Sequence, residues 1–239
     1  MIKKPINQND NFNLKLFNSI GYNFVFDNNP INRIKKKIST PKVFCENKTK
    51  RLEDLKQEIN SIKDCKLKEN ANQIVMGDGN IDSPLMIIGE GPGKKEDELG
   101  KPFVGDAGSL LNKMLKAIKI EREKIYITNV VNYRPPNNRK PEQSEINRYS
   151  EYLKKHILII DPKILILMGG TAMEAILGSN KIISKERGQW KEVIIKQKSY
   201  KTIVTFHPAY LLRKLDQKKF SWEDLKIIRK EIDEQNIEV

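Results

Sequence analysis

Three short segments of this 239-residue chain contain residue types that could do chemistry. They are the glycine-rich turn GEGPG at 89–93, the sequence ITNVVNYRPPNNR at 127–139 and the sequence VTFHPAYLLR at 204–213. Each segment adjoins a short apolar run of the kind that forms a buried strand. Because ligands collect at the carboxyl ends of strands in open α/β sheets, we expect the three segments to converge on one crevice.

The glycine-rich turn has several interpretations when it is taken alone. A Walker phosphate loop is disfavoured because no Gly-Lys-Ser or Gly-Lys-Thr follows at the required spacing. A dinucleotide fingerprint fails because Lys94 stands where the third glycine belongs. A nucleotide-binding protein is therefore disfavoured, while an ordinary tight turn between a strand and a helix remains open.

The chain has two histidines, and only one of them stands at the end of a predicted strand. His207 is followed by proline, which fixes the backbone, so its ring could act at a strand end; a satisfied core histidine is the alternative. His156 lies inside a predicted helix and is interpreted as structural. The loop with Arg134 and Arg139 is rigid and basic, which suits contacts with phosphate groups, although an ordinary exposed turn would look the same.

The residues after His207 combine apolar side chains with cations. They are Tyr210, Leu211, Leu212, Arg213 and Lys214. Apolar side chains flanked by positive charge can wedge between stacked bases. Alternatively, they begin a helix and pack inward.

The net charge points to the class of partner. Lys and Arg number 44 against 31 Asp and Glu, which leaves a net charge of +13. Such an excess favours nucleic acid first and an anionic membrane surface second. A general bias toward lysine would give the same excess, so charge alone does not decide.

The bulk composition is that of a globular protein. Charged residues make up 31% and hydrophobic residues 38% of the chain, and no apolar run approaches the roughly 18 residues of a membrane span. The N-terminal sequence lacks the apolar segment of a secretory signal, so we expect a cytoplasmic protein. Cys45 and Cys65 are expected to be free thiols; two thiolates cannot by themselves complete a zinc site or hold an iron–sulfur cluster.

Periodicity predicts strands alternating with helices. Strands are predicted over 85–89, 124–131, 163–169, 193–195 and 202–206, and helices over 51–63, 106–119, 142–160, 171–177 and 221–235. This order indicates an α/β fold, a three-layer αβα sandwich around a mostly parallel sheet of four to five strands. Residues 1–50, rich in Asn and Lys, are predicted to form a partly ordered extension, and residues 51–239 the folded domain.

Taken together, the segments resemble the family 4 uracil-DNA glycosylases, which are known chiefly as iron–sulfur enzymes. The matching motifs are VMGDGN, GEGPG, GKPFVGDAG, ITNVVNYRPPNNR, LMGGTAMEAILG, RGQW and HPAYLLR, between about Leu52 and Arg213. Each is weak alone, but their order and spacing are specific. The resemblance implies an enzyme that flips uracil out of DNA and hydrolyses its N-glycosidic bond, the first step of base excision repair.

The resemblance also implies roles for individual residues. The implied catalytic residues are His207, Glu90 and Asn129, and the implied uracil-binding residues are Gly89, Gly91, Phe103, Asn129 and Glu96. The expected DNA contacts are Arg134, Arg139, Tyr210, Leu211 and Arg213. Phe103 would stack on the base, Asn129 would read its Watson–Crick edge and His207 would face O2, where negative charge accumulates.

The resemblance leaves two alternative roles for each of two carboxylates. Glu96 lies where relatives exclude the thymine methyl group, although a surface carboxylate is the alternative. Gly91 stands where many uracil glycosylases place an aspartate. Glu90 is then the nearest carboxylate, and we expect it to hydrogen-bond in the pocket rather than to give electrostatic support.

The sequence departs from the family at the iron–sulfur cluster. The four cysteine positions of the [4Fe–4S] site correspond to Ile62, Cys65, Tyr133 and Tyr149, so one ligand of four is retained. We therefore expect no cluster, no other cofactor and no metal, with the two tyrosine rings filling the volume.

The expected partner is uracil-containing DNA, single- or double-stranded, bound by a monomer with no membrane contact. The alternative is a DNA-binding protein of the same fold that lost turnover along with its cluster. The joint presence of Asn129, Phe103 and His207 favours the enzyme.

Overall fold

The computed structural model describes residues 48–239. The predicted extension over 1–50 lies outside these residues except for its last three, which begin the first helix. Cys45 also lies outside them. Nowhere in the described part is a helix both long and apolar enough to cross a lipid bilayer.

Six strands form a single sheet in the order β1-β3-β2-β4-β6-β5. They are Gly77–Gly79 (β1), Leu85–Gly89 (β2), Tyr126–Asn129 (β3), Ile164–Met168 (β4), Trp190–Ile195 (β5) and Lys198–Thr205 (β6). The four central strands are parallel, and β1 and β5 pair antiparallel at the two edges. The predicted fold class is confirmed. The sheet has six strands rather than four to five, because Gly-Asp-Gly in β1 has no apolar pattern to reveal a strand.

Nine α-helices surround this sheet in the described part of the chain. They are Lys48–Asn60 (α1), Lys66–Glu69 (α2), Lys94–Leu99 (α3), Asp106–Ala117 (α4), Gln143–Ile160 (α5), Gly170–Leu177 (α6), Ile183–Glu186 (α7), Pro208–Arg213 (α8) and Lys218–Glu234 (α9). Five of them match the predicted helices with shifted ends. Helix α3 was not predicted, because its sequence KKEDEL offers a single apolar residue.

The core consists of two apolar layers, one on each face of the sheet. Along β2, Met86 and Ile88 face helices α1, α5 and α6, whereas Leu85 and Ile87 face helices α4 and α9. Strand residues alternate between faces, so a strand covered on both sides must be apolar at every position. This is why β2 and β4, the two middle strands, are continuous apolar runs and why the sandwich has three layers.

Strand β3, which precedes the loop at 130–139, is shorter than predicted. Strand β3 ends at Asn129, where the prediction extended to Val131. Beyond this point the Val130 and Val131 amides still donate to the carbonyls of Gly89 and Glu90, at 3.0 and 3.2 Å. These bonds tie the glycine-rich turn to the loop that follows β3.

Candidate active site

A cleft of about 900 Å³ opens at the carboxyl ends of the four parallel strands. Its wall includes the turn after β2, Asn129 at the end of β3, Gly169 after β4 and His207 after β6. The three segments singled out in the sequence therefore meet at one site, as expected for this sheet topology.

Gly89 allows two predicted uracil-binding side chains to approach each other. A Cβ at this position would lie 2.5 Å from both Oδ1 of Asn129 and Cζ of Phe103, which no side chain tolerates. Both neighbours are buried, Asn129 with 3% and Phe103 with 5% of its surface exposed, and both line the cleft. The glycine leaves space for the amide and the ring at one end of the cleft.

Gly91 lies where the turn backs onto the loop after β3. A Cβ there would be 2.6 Å from Cγ2 of Val131, so the backbone packs directly on this side chain. Gly91 lines the cleft through its backbone. The close approach explains a glycine at this position without any contact to a ligand.

His207 is held in one tautomer by its own helix. It caps the start of α8, and its Nδ1 accepts a hydrogen bond from the Ala209 amide at 3.1 Å. Because a backbone amide can only donate, Nδ1 is unprotonated and the neutral ring has its hydrogen on Nε2. Burial, together with the charge of Arg213, lowers the pKa of His207 to about 4, so the ring is neutral at pH 7.

The imidazole lies beside the ring of Phe103. The two ring centroids are 5.4 Å apart with an interplanar angle of 28°. His207 also lies close to Gly169, whose φ of +96° favours glycine and whose built Cβ would be a tight 3.0 Å from the His207 Cβ. Phe103, Asn129 and His207 thus share one pocket.

Glu90 points into the cleft with one oxygen already bound. The Thr171 hydroxyl donates to its Oε2 at 2.5 Å. Thr171 is buried at the start of α6 and was not singled out in the sequence, because a threonine at a helix start has many ordinary roles. This bond fixes the carboxylate of the glycine-rich turn against the neighbouring strand end.

Glu96 is a buried carboxylate that hydrogen-bonds to the backbone, rather than a surface carboxylate. Its Oε1 accepts hydrogen bonds from the amides of Val104 and Gly105, at 2.9 and 2.8 Å. It also lines the cleft and leaves no room for a side chain at Gly93, where a Cβ would lie 2.8 Å from Oε2. Glu96 therefore fixes the segment that bears Phe103.

The predicted DNA contacts divide into two groups by position. Arg139, Tyr210 and Arg213 line the cleft, whereas Arg134 lies outside its lining. Arg139 forms two hydrogen bonds with Glu145, at 2.7 and 2.8 Å, which raise the pKa of the guanidinium and compensate its charge. Arg134 donates to Asn138 at 2.7 Å within the same loop.

The structure does not support a DNA contact for Leu211. This side chain is 1% exposed and belongs to the core on the α9 face of the sheet. Its neighbour Leu212 is 44% exposed. Consecutive helical residues point in directions about 100° apart, so inward packing of Leu211 turns Leu212 outward.

The positions corresponding to the cluster ligands form a packed apolar region. Sγ of Cys65 is 3.3 Å from the Tyr149 hydroxyl, and the Tyr133 hydroxyl donates to Oδ1 of Asn60. Cys65 and both tyrosines are buried in the core on the α5 face, and Ile62 packs against it. Burial, with a smaller contribution from Cys65, raises the pKa of Tyr133 to about 12.

This donor set does not fit an iron–sulfur cluster. A [4Fe–4S] cube needs four thiolates, and the four positions offer one thiol, two phenols and one hydrocarbon. Within residues 48–239, no three His, Cys, Asp or Glu side chains lie close enough to hold a metal ion.

The second histidine lies away from the cleft. Nε2 of His156 is 2.9 Å from the Tyr126 hydroxyl in the core on the α5 face. Burial lowers the pKa of His156 to about 4, so it is a neutral, hydrogen-bonded core residue. Its placement agrees with the structural interpretation.

Known proteins share both the fold and the motifs of this chain. Residues 76–227 match the family model described as the uracil DNA glycosylase superfamily. The type-4 uracil-DNA glycosylase of Sulfurisphaera tokodaii is 43% identical over 186 residues, covering 74% of this chain and 83% of that protein. The corresponding protein of Thermotoga maritima is 40% identical over 163 residues, covering 68% and 83%.

A relative of another kind matches over the same length. The DNA polymerase of Bacillus phage SP01 is 31% identical over 163 residues, which cover 68% of this chain and 17% of the polymerase. By its family model and its type-4 relatives, the chain belongs to the uracil-DNA glycosylase superfamily and, within it, to the type-4 family.

Proposed function

We propose that this protein is an active uracil-DNA glycosylase that extrudes uracil from DNA and hydrolyses its N-glycosidic bond, leaving an abasic site. The observation that supports this most directly is the shared pocket of Phe103, Asn129 and His207 at the carboxyl ends of the parallel strands. We assign the activity to residues 51–239. A base must leave the helix to reach this cleft, at a cost of about a few kcal/mol that is smaller for a mismatched base.

Asn129 would select uracil by hydrogen bonding. Its amide NH₂ can donate to O4 of uracil while its amide oxygen accepts from N3–H. Cytosine presents a donor and an acceptor in the opposite order, so it leaves both amide atoms unmatched. Because Asn129 is almost fully buried, such a mismatch has no water to relieve it.

The base would stack on Phe103 beside the imidazole rather than between the two rings. Two stacked contacts of about 3.5 Å each need about 7 Å between ring planes, and the two centroids are 5.4 Å apart. The base therefore covers the free part of the Phe103 face and presents its O2 edge to His207. Stacking on one aromatic ring contributes about 1–3 kcal/mol.

His207 would stabilise the leaving group as a neutral donor. When the bond from C1′ to N1 breaks, its electron pair stays on the uracil and spreads to O2. The Nε2 hydrogen of His207 is available to donate to that oxygen, because Nδ1 is occupied by the Ala209 amide. Uracil therefore leaves as the anion. Water then adds its oxygen to C1′ and releases a proton to the solvent.

The two carboxylates have supporting roles in this proposal. Glu90, held through one oxygen by Thr171, uses its second oxygen as a hydrogen-bond acceptor in the cleft. Glu96 excludes the thymine methyl group by fixing the segment of Phe103 in place. Both act by placing groups rather than by forming a covalent bond.

DNA would lie across the mouth of the cleft. We propose Arg134 and Arg213 as phosphate contacts and Tyr210 as a contact at the cleft itself. Arg139 would hold the loop of Arg134 in place through Glu145. The exposed Leu212 takes the place of Leu211 as the apolar side chain beside the vacated base position.

We also propose that the enzyme works without an iron–sulfur cluster, as a monomer in the cytoplasm. The one thiol among the four ligand positions and the packed tyrosines support the first point. A cleft built from one chain supports the second, and the free thiol of Cys65 suits a reducing compartment. Stoichiometric iron with visible absorption in the purified protein would refute the first.

The test of the proposed function is excision of a single labelled uracil from DNA, followed by alkaline cleavage of the abasic site. We expect cleavage by the wild type, fastest for a U·G pair. Asn129→Asp should relax discrimination against cytosine, because a protonated aspartate can donate to N3 of cytosine while its other oxygen accepts from the 4-amino group. Tight DNA binding without cleavage by the wild type would favour a binding protein that has lost turnover.

A further inference from the structure

The base-stacking residue has a backbone conformation that few side chains adopt. Phe103 has a φ of +53°, in the left-handed region. Non-glycine residues are uncommon there, and those that persist are held by the surrounding structure and cluster at functional sites. Something must therefore hold Phe103 in this conformation.

Arg122 hydrogen-bonds to the backbone carbonyls on both sides of the Phe103 Cα. Its Nη2 donates to the carbonyl of Pro102 at 2.7 Å, and its Nη1 donates to the carbonyl of Phe103 at 3.1 Å. The guanidinium is planar, so two such bonds fix the relative orientation of the two carbonyls. They set the direction of the backbone immediately before and after the Phe103 side chain.

The guanidinium is itself held in place. Nη1 also donates to Oδ1 of Asn112 at 3.1 Å, and Nη2 lies 3.5 Å from Oδ2 of Asp78. The Arg122 side chain is 16% exposed. A charged group that is this well shielded and bonded on four sides has little freedom to move.

Contacts with Gly108 and Glu96 also restrict the backbone around Phe103. A Cβ on Gly108 would collide with the carbonyl oxygen of Phe103, so helix α4 packs directly against this peptide. The next two amides donate to Glu96. Phe103 is thus held by a cation on the carbonyls of Pro102 and Phe103 and by a carboxylate on the amides of Val104 and Gly105.

We propose that Arg122 is a positioning residue for base recognition: by binding the carbonyls of Pro102 and Phe103, it keeps the Phe103 ring at the place where the uracil stacks. Arg122 is outside the lining of the cleft and acts through Phe103. The inference rests on the proposed function.

The test compares Arg122→Met with the matched control Arg148→Met. Arg148 is an exposed arginine that also donates to a backbone carbonyl, that of Asp64 at 3.1 Å, and it is outside the lining of the cleft. Two quantities are measured for each variant: inhibition of excision by free uracil, and kcat/KM on uracil-containing DNA. We expect Arg122→Met to weaken both by about 10-fold, within the range of one lost base–aromatic stack, and Arg148→Met to change neither.

A double-mutant cycle separates positioning from a general structural effect. In a Phe103→Ala background, where the ring is already gone, Arg122→Met should reduce kcat/KM by less than about 2-fold, because interacting residues are not additive. The same 10-fold loss in that background would overturn the proposal. So would wild-type uracil inhibition in the single variant.

Two further measurements keep the outcome decisive. If Arg122→Met unfolds, Arg122→Lys replaces it; lysine keeps the charge but not the planar pair of donors, so uracil inhibition should still weaken. Unchanged inhibition in Arg122→Lys would overturn the proposal. Failure of the wild type to excise uracil would instead contradict the proposed function, while Arg122 could still be judged by binding of free uracil.

Discussion

Two regions of this molecule have diverged to different degrees from the family pattern. At the carboxyl ends of the parallel strands, each polar residue implied by the family resemblance lies in one cleft or beside it. On the α5 face, three of the four positions corresponding to cluster ligands have lost their thiol, and tyrosine rings and an isoleucine pack there instead. The comparison indicates that the site for chemistry and the region corresponding to the cluster ligands can change separately.

The two regions are joined by one loop. Asn129 is at the end of β3, and Tyr133 follows four residues later in the cluster region. Whatever fills that region anchors the loop bearing Arg134, whereas Asn129 is held in the sheet by its pairing with Gly89. The tyrosines therefore perform, through packing and the bond from Tyr133 to Asn60, the anchoring that a cluster would provide by ligation.

The largest expected effect is on the free energy of unfolding, at the tyrosines packed on the α5 face. Tyr149→Ala removes a fully buried ring and should lower the free energy of unfolding by about 3–5 kcal/mol. The fraction that remains folded should keep its kcat. Urea unfolding and single-turnover excision measure the two quantities. A loss of kcat larger than the loss of folded protein would contradict the separation of the two regions.

The opposite pattern is expected at the cleft. His207→Ala should lower kcat by about 10²–10³-fold, as for the loss of one preorganised donor to a developing anion. DNA affinity should change little, and the melting temperature should fall by about 2–4 °C because the cap of α8 is lost. Binding titrations and thermal melts provide the controls. A weaker affinity with unchanged kcat would place His207 in binding rather than in catalysis.

The buried histidine on the α5 face makes stability depend on pH. Its pKa is about 4 in the folded protein and about 6.5 when unfolded. Between these values the unfolded chain binds a proton that the folded chain does not, so stability falls as the pH is lowered from 6.5 to 4. The loss from His156 amounts to about 3 kcal/mol at most.

His156→Gln tests this assignment by removing the titrating group. It should reduce the pH dependence, measured by urea unfolding at pH 7.5, 5.5 and 4.5, and leave a remainder in the same direction from His207. A pH dependence identical to that of the wild type would contradict it.

The smallest effect is expected on the rim of the cleft. Leu212→Ala should lower kcat/KM on duplex DNA by about 3- to 10-fold, and less on single strands, because only a duplex leaves a gap to fill when the base is extruded. Leu215→Ala, which removes another exposed leucine three residues further along the chain and beyond the end of α8, is the matched control. Equal losses on duplex and single strands would contradict a wedge.

The sequence predicted what depends on hydrophobic burial and could not predict what depends on inward-facing charge. The two middle strands, β2 and β4, are apolar throughout, so their positions were readable. Helix α3 was missed because its only leucine points outward, whereas Asp97 is buried and accepts hydrogen bonds from Asn72 at 2.8 Å.

The same limit explains the errors at the site. The helical phase after Pro208 decides whether Leu211 or Leu212 packs inward, and two adjacent leucines do not reveal that phase. Arg122 was not singled out because its partners are backbone carbonyls, which have no signature in the sequence.

The amide bonds from Val130 and Val131 to the glycine-rich turn have a practical consequence for engineering. They join the glycine-rich turn to the start of the loop after β3, although the two stretches are distant in the sequence. To alter base preference, both stretches should be exchanged together. If only one were replaced, the hydrogen bonds between the two stretches would lose one of their partners.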